Sequence, residues 1–238
     1  MTSSRLPGKV MLPILGKPVL ELMIERIKRV PSIDAIIIAT TSNATDDCLK
    51  ELAERLGVFC FRGSEEDVMG RVLGAAQAYD VDVIVELTGD CPMIDPMVVE
   101  ECIVAYHRSG VDYVSNRLER TYSIGMDTQV FSTSALADAA NRTQAPNDRE
   151  HVSAYFYAYD HNLYTLKNVA APPELTDPEL AITLDTPEDY DLIKTIFELL
   201  YPQNPEFTLA DILDLTVQEP RLREINRRIK RTWDRADA

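Results

Sequence analysis

The chain has 238 residues, of which 45% are hydrophobic and 26% are charged, a composition typical of globular rather than disordered or fibrous proteins. Its 24 basic and 39 acidic residues give a net charge of −15. Because affinity for a phosphate backbone comes from Lys and Arg, this charge argues against a nucleic-acid-binding function. The four cysteines form no CxxC pair and only three histidines accompany them, so neither a zinc site nor a disulfide framework is predicted.

Hydropathy and chain organisation predict a cytoplasmic protein that does not bind membranes. No apolar run approaches the roughly 18 residues that a membrane span needs, and the N-terminus lacks the pattern of a signal peptide. No internal repeat is present, and no linker is long enough to separate two domains. We therefore expect residues 1–238 to form a single domain.

In the first half of the chain, apolar segments alternate with helical patterns after a polar loop over residues 1–9. Helices are predicted over residues 19–30, 46–56, 67–79 and 96–108. Strands are predicted over residues 35–40, 58–61 and 81–87. Unbroken apolar strands that alternate with helices indicate a mostly parallel, doubly wound sheet covered on both faces, which is a three-layer, Rossmann-like α/β fold.

The second half departs from this alternation. Strands are predicted over residues 112–115, 127–131, 162–169 and 181–184. Helices are predicted around His151 and over residues 187–200, 209–217 and 221–235. The last of these carries seven basic residues against two acidic ones, a local charge of +5. A solvated helix face is the favoured interpretation of this basic tail, which extends over residues 221–238, and an interaction tail is the alternative.

Two aspartates follow predicted strands. Asp90 lies in the turn Thr88–Pro92, and Asp185 comes directly after the strand that ends at Leu184. The carboxyl ends of parallel strands are where α/β sheets bind ligands, so two such carboxylates can converge on one Mg²⁺ although they are 95 positions apart. Alternatively, Asp90 stabilises its own turn and Asp185 caps the helix that begins at Pro187.

Basic residues in two loops are candidates for binding phosphate. Arg5 and Lys9 belong to a short loop of small residues that could cradle a polyphosphate, although two solvated cations at a frayed terminus are the simpler interpretation. Arg71 follows a predicted strand and could reach a phosphate or a base, or pair with Asp67 one helical turn away. His151 could recognise a carboxylate or a hydroxyl of a substrate, but a lone His is more often structural.

Six motifs, taken together in their order and spacing, resemble the spore coat polysaccharide biosynthesis protein F group of cytidylyltransferases. They are SSRLPGK, FRGSEEDVMGR, TGDCPMIDP, GMDTQVF, REHV and LDTPEDYDLI. The group is related to enzymes that activate 3-deoxy-manno-octulosonate and sialic acid as CMP-sugars. The resemblance extends from residue 1 to about residue 215, and it implies a nucleotide-diphospho-sugar transferase fold.

The resemblance implies transfer of CMP from CTP to a sugar acid, with release of pyrophosphate, in surface polysaccharide or glycan biosynthesis. Arg5 and Lys9 match the triphosphate loop and would stabilise the departing pyrophosphate. Arg71 matches an arginine near the nucleotide. Asp90 and Asp185 match the two carboxylates that bind Mg²⁺. Catalysis of this kind depends mainly on positioning and electrostatics, and no general base is identified.

The same resemblance implies where the sugar acid and a second subunit bind. Asp127, Gln129 and His151 fall in segments that contact the sugar in the related enzymes. The irregular stretch over residues 115–165 resembles the part that packs against a second subunit, so a homodimer is expected. Met126 departs from the family pattern only in the choice of apolar residue.

One departure from the family leaves alternatives open. Family members begin with a strand that ends in a Gln-Ala-Arg-type sequence, whereas this chain begins at the Met that follows. We expect a start about ten residues upstream, the usual length of a strand with its turn. The alternative to an upstream start is a real truncation that impairs the protein. For the function, the alternatives are a transferase of the same fold with another nucleotide or acceptor, and a non-catalytic nucleotide-binding protein disabled by the missing strand.

Overall fold

The computed structural model describes residues 5–159 and 162–231. The strands are β1 Pro13–Ile14, β2 Lys17–Pro18, β3 Ile37–Thr41, β4 Phe59–Gly63, β5 Val83–Glu86, β6 Tyr113–Ser115, β7 Gln129–Ser132 and β8 Leu166–Asn168. The helices are α1 Val19–Ile27, α2 Asp47–Leu56, α3 Val68–Ala78, α4 Pro96–Ser109, α5 Thr133–Arg142, α6 Pro146–Glu150, α7 Ala154–Tyr157, α8 Pro187–Leu200, α9 Leu209–Gln218 and α10 Arg221–Glu224. Within these ranges, no helix combines the length and the apolar character that crossing a membrane requires.

Alternation along the strands places apolar side chains on both faces of the sheet. Val114 and Val130 pack with α1, α2 and α4 on one face. Their neighbours Tyr113 and Phe131 pack with α3, α5 and α7 on the other face. Because successive side chains of a strand point to opposite faces, these apolar strands need helices on both sides. The three-layer α/β architecture predicted from the sequence is thus confirmed.

The pairing of the strands is mixed rather than mostly parallel. β3 pairs with β4 in parallel, and a four-stranded sheet has the order β5-β7-β6-β8. In that sheet β7 is antiparallel to both β5 and β6, while β6 and β8 are parallel. The expectation of a mostly parallel sheet is wrong in this half, because no crossover helix separates β6 from β7 and the chain returns in the opposite direction.

The two sheets are not hydrogen-bonded to each other. In the part of the chain that the structure describes, β3 has a strand partner only on its β4 side and β5 only on its β7 side. Ile38 of β3 and Val83 and Val85 of β5 are accordingly only half-buried, although they belong to one hydrophobic cluster. Helix α1 supplies buried residues to the same cluster, so both strands pack with one helical layer.

Two predicted elements near the C-terminus are shorter than the sequence indicates. The strand predicted over residues 181–184 forms only one parallel bridge, between Ala181 and Ile124. The helix predicted over residues 221–235 ends at Glu224. Beyond it, Asn226 and Arg231 are buried instead of lying on a solvated helix face, because their side chains hydrogen-bond inward. Residues 232–238 of the predicted tail lie outside the described residues.

Candidate active site

The loop after β5 and the segment before α8 are joined by a backbone hydrogen bond. The carbonyl of Asp90 accepts from the N–H of Leu184 over 2.8 Å. This contact places Asp90 beside Asp185, one residue beyond Leu184 in the chain. The carboxyl end of β5 and the segment after Ala181 therefore deliver two aspartates to one point, as the sequence predicted.

Lys9 lies between these two aspartates, which we call the carboxylate pair. Its Nζ donates to Oδ2 of Asp90 over 2.7 Å and to Oδ1 of Asp185 over 2.9 Å. Lys9 begins a short 3₁₀ helix after Gly8, whose φ of 69° lies in the left-handed region that glycine adopts without strain. The basic loop is thus folded against the sheet edge, and the interpretation of Lys9 as a solvated terminal cation is wrong.

The charges of this cluster shift its titration. Burial by itself would lower the pKa of Lys9, but the charge of Asp90 and the hydrogen bonds to both aspartates outweigh it and raise that pKa. Burial would likewise raise the pKa of Asp90, and the Lys9 ammonium reverses this and lowers it. Both shifts favour the charged forms. Arg5 adds a second cation, with Nη2 at 3.2 Å from Oδ1 of Asp185.

The backbone at Asp185 is fixed by the start of α8. Thr186 and Asp189 form a capping box, in which each side chain bonds the backbone N–H of the other residue. Asp189 also accepts from the N–H of Asp185 over 3.1 Å. Capping is therefore the role of Thr186 and Asp189, which leaves the Asp185 carboxylate for Lys9 and Arg5.

Arg71 is not part of this cluster among the described residues. It lies on α3 beside Gly63, and its Nη1 donates to the carbonyl of Ser64. The alternative of an ion pair between Arg71 and Asp67 is wrong among the described residues, because the Asp67 carboxylate caps α3 and pairs with Arg149 at 3.5 Å. The Nε of Arg71 is buried without a hydrogen-bond partner.

The three residues predicted to contact a sugar occupy different environments. Asp127 is held by Arg120 in a bidentate ion pair, with N–O distances of 2.7 and 2.9 Å. Gln129 is buried at the start of β7. His151 is exposed at the end of α6, where its backbone N–H donates to the carbonyl of Asn147. No hydrogen bond or ion pair among the described residues joins these three side chains to one another.

Sequence reasoning missed Glu86, which stands beside Gln129. The sheet register aligns Glu86, Gln129 and Ser115 across β5, β7 and β6, so these side chains form one polar row on the same face. Oε2 of Glu86 and Oε1 of Gln129 are buried without hydrogen-bond partners. Burial raises the pKa of Glu86 to about 7, although the Ser153 hydroxyl and the charge of Arg117 act in the opposite direction. A carboxylate inside the apolar stretch 81–87 was the available signal.

Comparison with known proteins identifies the family. The family model described as Cytidylyltransferase matches residues 1–212. The chain belongs to the cytidylyltransferase family. The spore coat polysaccharide biosynthesis protein SpsF of Bacillus subtilis is 32% identical over 230 residues, which cover 92% of this chain and 92% of that protein.

Two further comparisons agree with this assignment. The 3-deoxy-manno-octulosonate cytidylyltransferase 2 of Hydrogenovibrio crunogenus is 36% identical over 176 residues, covering 68% of this chain and 66% of that protein. The solved structure of a cytidylyltransferase from Leptospira borgpetersenii superposes with a TM-score of 0.87 at 31% identity, covering 97% of this chain and 94% of that one. The whole fold described above is therefore shared with a solved cytidylyltransferase.

The donor set of this cytidylyltransferase fits Mg²⁺. The described residues contain no cluster of three or more His, Cys, Asp or Glu side chains that could hold a metal by themselves. Mg²⁺ does not need one, because it typically takes one or two protein carboxylates and completes its shell with water and substrate phosphates. Asp90 and Asp185 already converge on the Lys9 cation, and both offer carboxylate oxygens.

Proposed function

We propose that this cytidylyltransferase transfers CMP from CTP to a sugar acid in cytoplasmic polysaccharide biosynthesis, with Mg²⁺ held by Asp90 and Asp185. The observation that carries the proposal is the convergence of the two aspartates on Lys9, from positions far apart in the chain. The names of the relatives from Bacillus subtilis and Hydrogenovibrio crunogenus support the pathway class and the acceptor class.

In the proposed reaction, an acceptor hydroxyl oxygen forms a bond to the α-phosphorus of CTP. The bond from that phosphorus to the bridging oxygen breaks, pyrophosphate leaves and the hydroxyl proton passes to solvent. Bound Mg²⁺ would neutralise negative charge on the phosphate oxygens. Lys9 and Arg5 stabilise the departing pyrophosphate, since both cations already lie at the carboxylate pair. Positioned charges of this kind supply most of the catalysis in phosphoryl transfer.

The polar row provides a site for the acceptor in this proposal. Glu86 and Gln129 present two acceptor oxygens that lack donors among the described side chains. A buried acceptor without a donor is costly, and the hydroxyl groups of a sugar acid are donors. Arg117 lies close enough to lower the pKa of Glu86 and also faces Asp127 at 3.9 Å. It is therefore proposed to meet a substrate carboxylate. Arg71 is proposed to contact the nucleotide, and His151 to approach the acceptor from its exposed position.

A homodimer completes the proposal. The end of the segment 115–165, which we expect to meet a second subunit, and the first residue of β8 carry large apolar side chains that are close together in the chain and remain exposed. Tyr159, Leu163 and Leu166 are 45%, 47% and 40% exposed. Apolar side chains that cluster on a surface mark interaction sites more often than isolated ones do.

The test is a thermal-unfolding comparison with Mg²⁺ and each of CTP, UTP, ATP and GTP. A ligand that binds only the folded state stabilises it by about 2.7 kcal/mol at 100 times its Kd. We expect a selective rise with CTP. The Asp90→Asn variant should lose the Mg²⁺-dependent part of that rise and release pyrophosphate at least about 100-fold more slowly.

Asp82→Asn is the matched control, since it neutralises an exposed carboxylate next to the other end of β5. It should behave like the wild type. Near-normal turnover of Asp90→Asn would contradict the metal assignment. A selective rise with another nucleotide would change the donor, and no rise with any nucleotide would contradict the proposed function.

A further inference from the structure

The C-terminal segment, residues 219–231, lies beyond the range that the family model matches, yet it is packed into the body of the protein. Leu222 is 1% exposed and belongs to the hydrophobic cluster that contains Ile182 and Leu184. Arg223 pairs with Asp177 at 2.6 Å. The segment is therefore anchored against the stretch of chain that leads into Asp185.

Two polar side chains of this segment converge on Asp189. Nη2 of Arg231 donates to Oδ1 of Asp189 over 2.7 Å, and Nη1 donates to Oδ2 over 3.3 Å. Nδ2 of Asn226 donates to the same Oδ1 over 2.8 Å and to the carbonyl of Ala181 over 2.8 Å. Asp189 is completely buried, and Arg231 is only 5% exposed. A carboxylate so deeply buried needs a charged partner, and Arg231 is that partner.

Asp189 also bonds to the backbone at Asp185, one member of the carboxylate pair. Its Oδ2 accepts from the backbone N–H groups of Asp185 and Thr186, over 3.1 and 3.0 Å. The Asp189 carboxylate therefore bonds both to the C-terminal segment and to the backbone of Asp185, the proposed metal ligand. Arg231 itself stays 3.9 Å from Asp185, farther than Lys9.

We propose that Arg231 and Asn226 are positioning residues for the Mg²⁺–CTP site, and that they act through Asp189 to hold the backbone of Asp185 in place. This inference rests on the proposed function. It assigns the C-terminal segment a role in positioning Asp185, although that segment lies outside the range that the family model matches.

The distances from Arg231 to Asp185 and to Asp189 indicate whether removing Arg231 should weaken or strengthen Mg²⁺ binding. If Arg231 acted mainly as a cation competing for Asp185, its removal would strengthen Mg²⁺ binding. Arg231 lies 2.7 Å from Asp189 but 3.9 Å from Asp185. Its removal therefore mainly leaves the buried Asp189 carboxylate without its charged partner. Without Arg231, the Asp189 carboxylate loses the contact that fixes its orientation, and its hydrogen bond to the N–H of Asp185 is weakened. Loss of partners that orient metal ligands typically weakens metal affinity about 10- to 100-fold.

The experiment measures CTP binding to the full chain by calorimetry over a range of Mg²⁺ concentrations and again in EDTA. For Arg231→Met, we expect the Mg²⁺ concentration at half-saturation to rise about 10-fold or more. The Kd for CTP in EDTA should change less than about twofold, because Arg231 is assigned no direct nucleotide contact. Arg228→Met is the matched control, since Arg228 is an exposed arginine of the same segment, and it should leave both values unchanged.

Arg231→Lys keeps the charge but loses the two-pronged contact, and it should give an intermediate rise. If Arg231→Met does not unfold cooperatively, the comparison of Arg231→Lys with the wild type serves as the test. An unchanged Mg²⁺ requirement, tighter Mg²⁺ binding, or weaker CTP binding in EDTA would each overturn the inference. A wild-type chain that does not bind CTP with Mg²⁺ would instead contradict the proposed function, so the two failures are distinguishable.

Discussion

At the carboxylate pair, one ammonium group separates two carboxylates that would otherwise repel each other. Lys9 lies within 3 Å of both Asp90 and Asp185, and Arg5 approaches Asp185 from the exposed side. Charged groups brought this close favour each other's ionised forms, which accounts for the raised pKa of Lys9 and the lowered pKa of Asp90. Lys9 and Asp90 therefore each favour the charged form of the other.

The ionisation of Glu86 makes the free energy of unfolding depend on pH, and this dependence can be measured without any substrate. Burial raises its pKa from 4.5 to about 7 in the folded protein. Between these values the unfolded chain binds fewer protons than the folded protein at this position, so the group's contribution to stability falls as pH rises from about 4.5 to about 7. Above that window the contribution stays level.

We therefore expect Glu86→Gln to gain stability relative to the wild type across this window. The gain between about pH 4 and about pH 8 should approach 3 kcal/mol, because one pKa unit corresponds to about 1.4 kcal/mol. Denaturant titrations of both proteins over this pH range measure the difference, in which other titrating groups cancel. A difference that stays constant with pH would show that Glu86 keeps an ordinary pKa.

At the scale of elements, α8 and α9 begin with the same N-terminal capping motif. Thr186 with Asp189, and Thr208 with Asp211, form capping boxes that satisfy the first N–H groups of each helix. Both patterns are readable in the sequence, and the predicted bounds of α8 agree with the structure. Of these two helices, α8 is the one whose capping aspartate is buried and bonded to a distant segment, which links that cap to the candidate site.

The cap of α9 offers a test of the capping contribution away from the carboxylate pair. Thr208→Ala should lower the free energy of unfolding by about 1 kcal/mol, because the N–H of Asp211 loses its acceptor. Thr195→Ala is the matched control inside α8, where the threonine hydroxyl bonds a helix carbonyl and alanine is the better helix former. Denaturant melts measure both changes, and a loss at Thr195 as large as that at Thr208 would contradict the capping argument.

At the scale of the whole molecule, close backbone contacts join distant parts of the chain. Gly125 lies where the segment around Ile124 meets Ile182, and a Cβ there would be 2.9 Å from the Ile182 backbone. Its φ of 108° also favours glycine. This approach aligns the stretch that leads to Asp185 with the segment around Ile124. The position of one site residue thus depends on packing between segments more than fifty residues apart.

The proposed homodimer is a prediction at this scale. Sedimentation equilibrium should give twice the mass of one chain, and Leu163→Asp should raise the dimer dissociation constant about 30-fold, the equivalent of about 2 kcal/mol for a buried anchor residue. Val217→Asp is the control, because Val217 is 73% exposed but lies on α9, outside the proposed interface. A wild-type monomer, or equal effects of the two variants, would contradict the assignment.

The convergence of Asp90 and Asp185 could be expected from the sequence because the motifs that carry them are local. Asp90 and Asp185 follow segments that leave the core, and Lys9 lies in a loop of small residues. Helix α5 was not anticipated, because its sequence follows directly on a strand and contains only one large apolar residue, Leu136. Arg71 and His151 fall in family motifs, yet the described contacts hold Arg71 beside Gly63 and leave His151 exposed.

By itself, the sequence determined the helices with strong caps, the apolar strands and the kinds of side chain at the site, because these depend on patterns within a few residues. Tertiary structure alone decided the antiparallel placement of β7, the single bridge at Ala181 and the burial of Arg231 against Asp189. These features join residues that are 14 to 57 positions apart in the chain, and local preferences carry no information about such pairings. The partners of Asp185 were fixed by packing and by the cost of leaving buried charge unpaired.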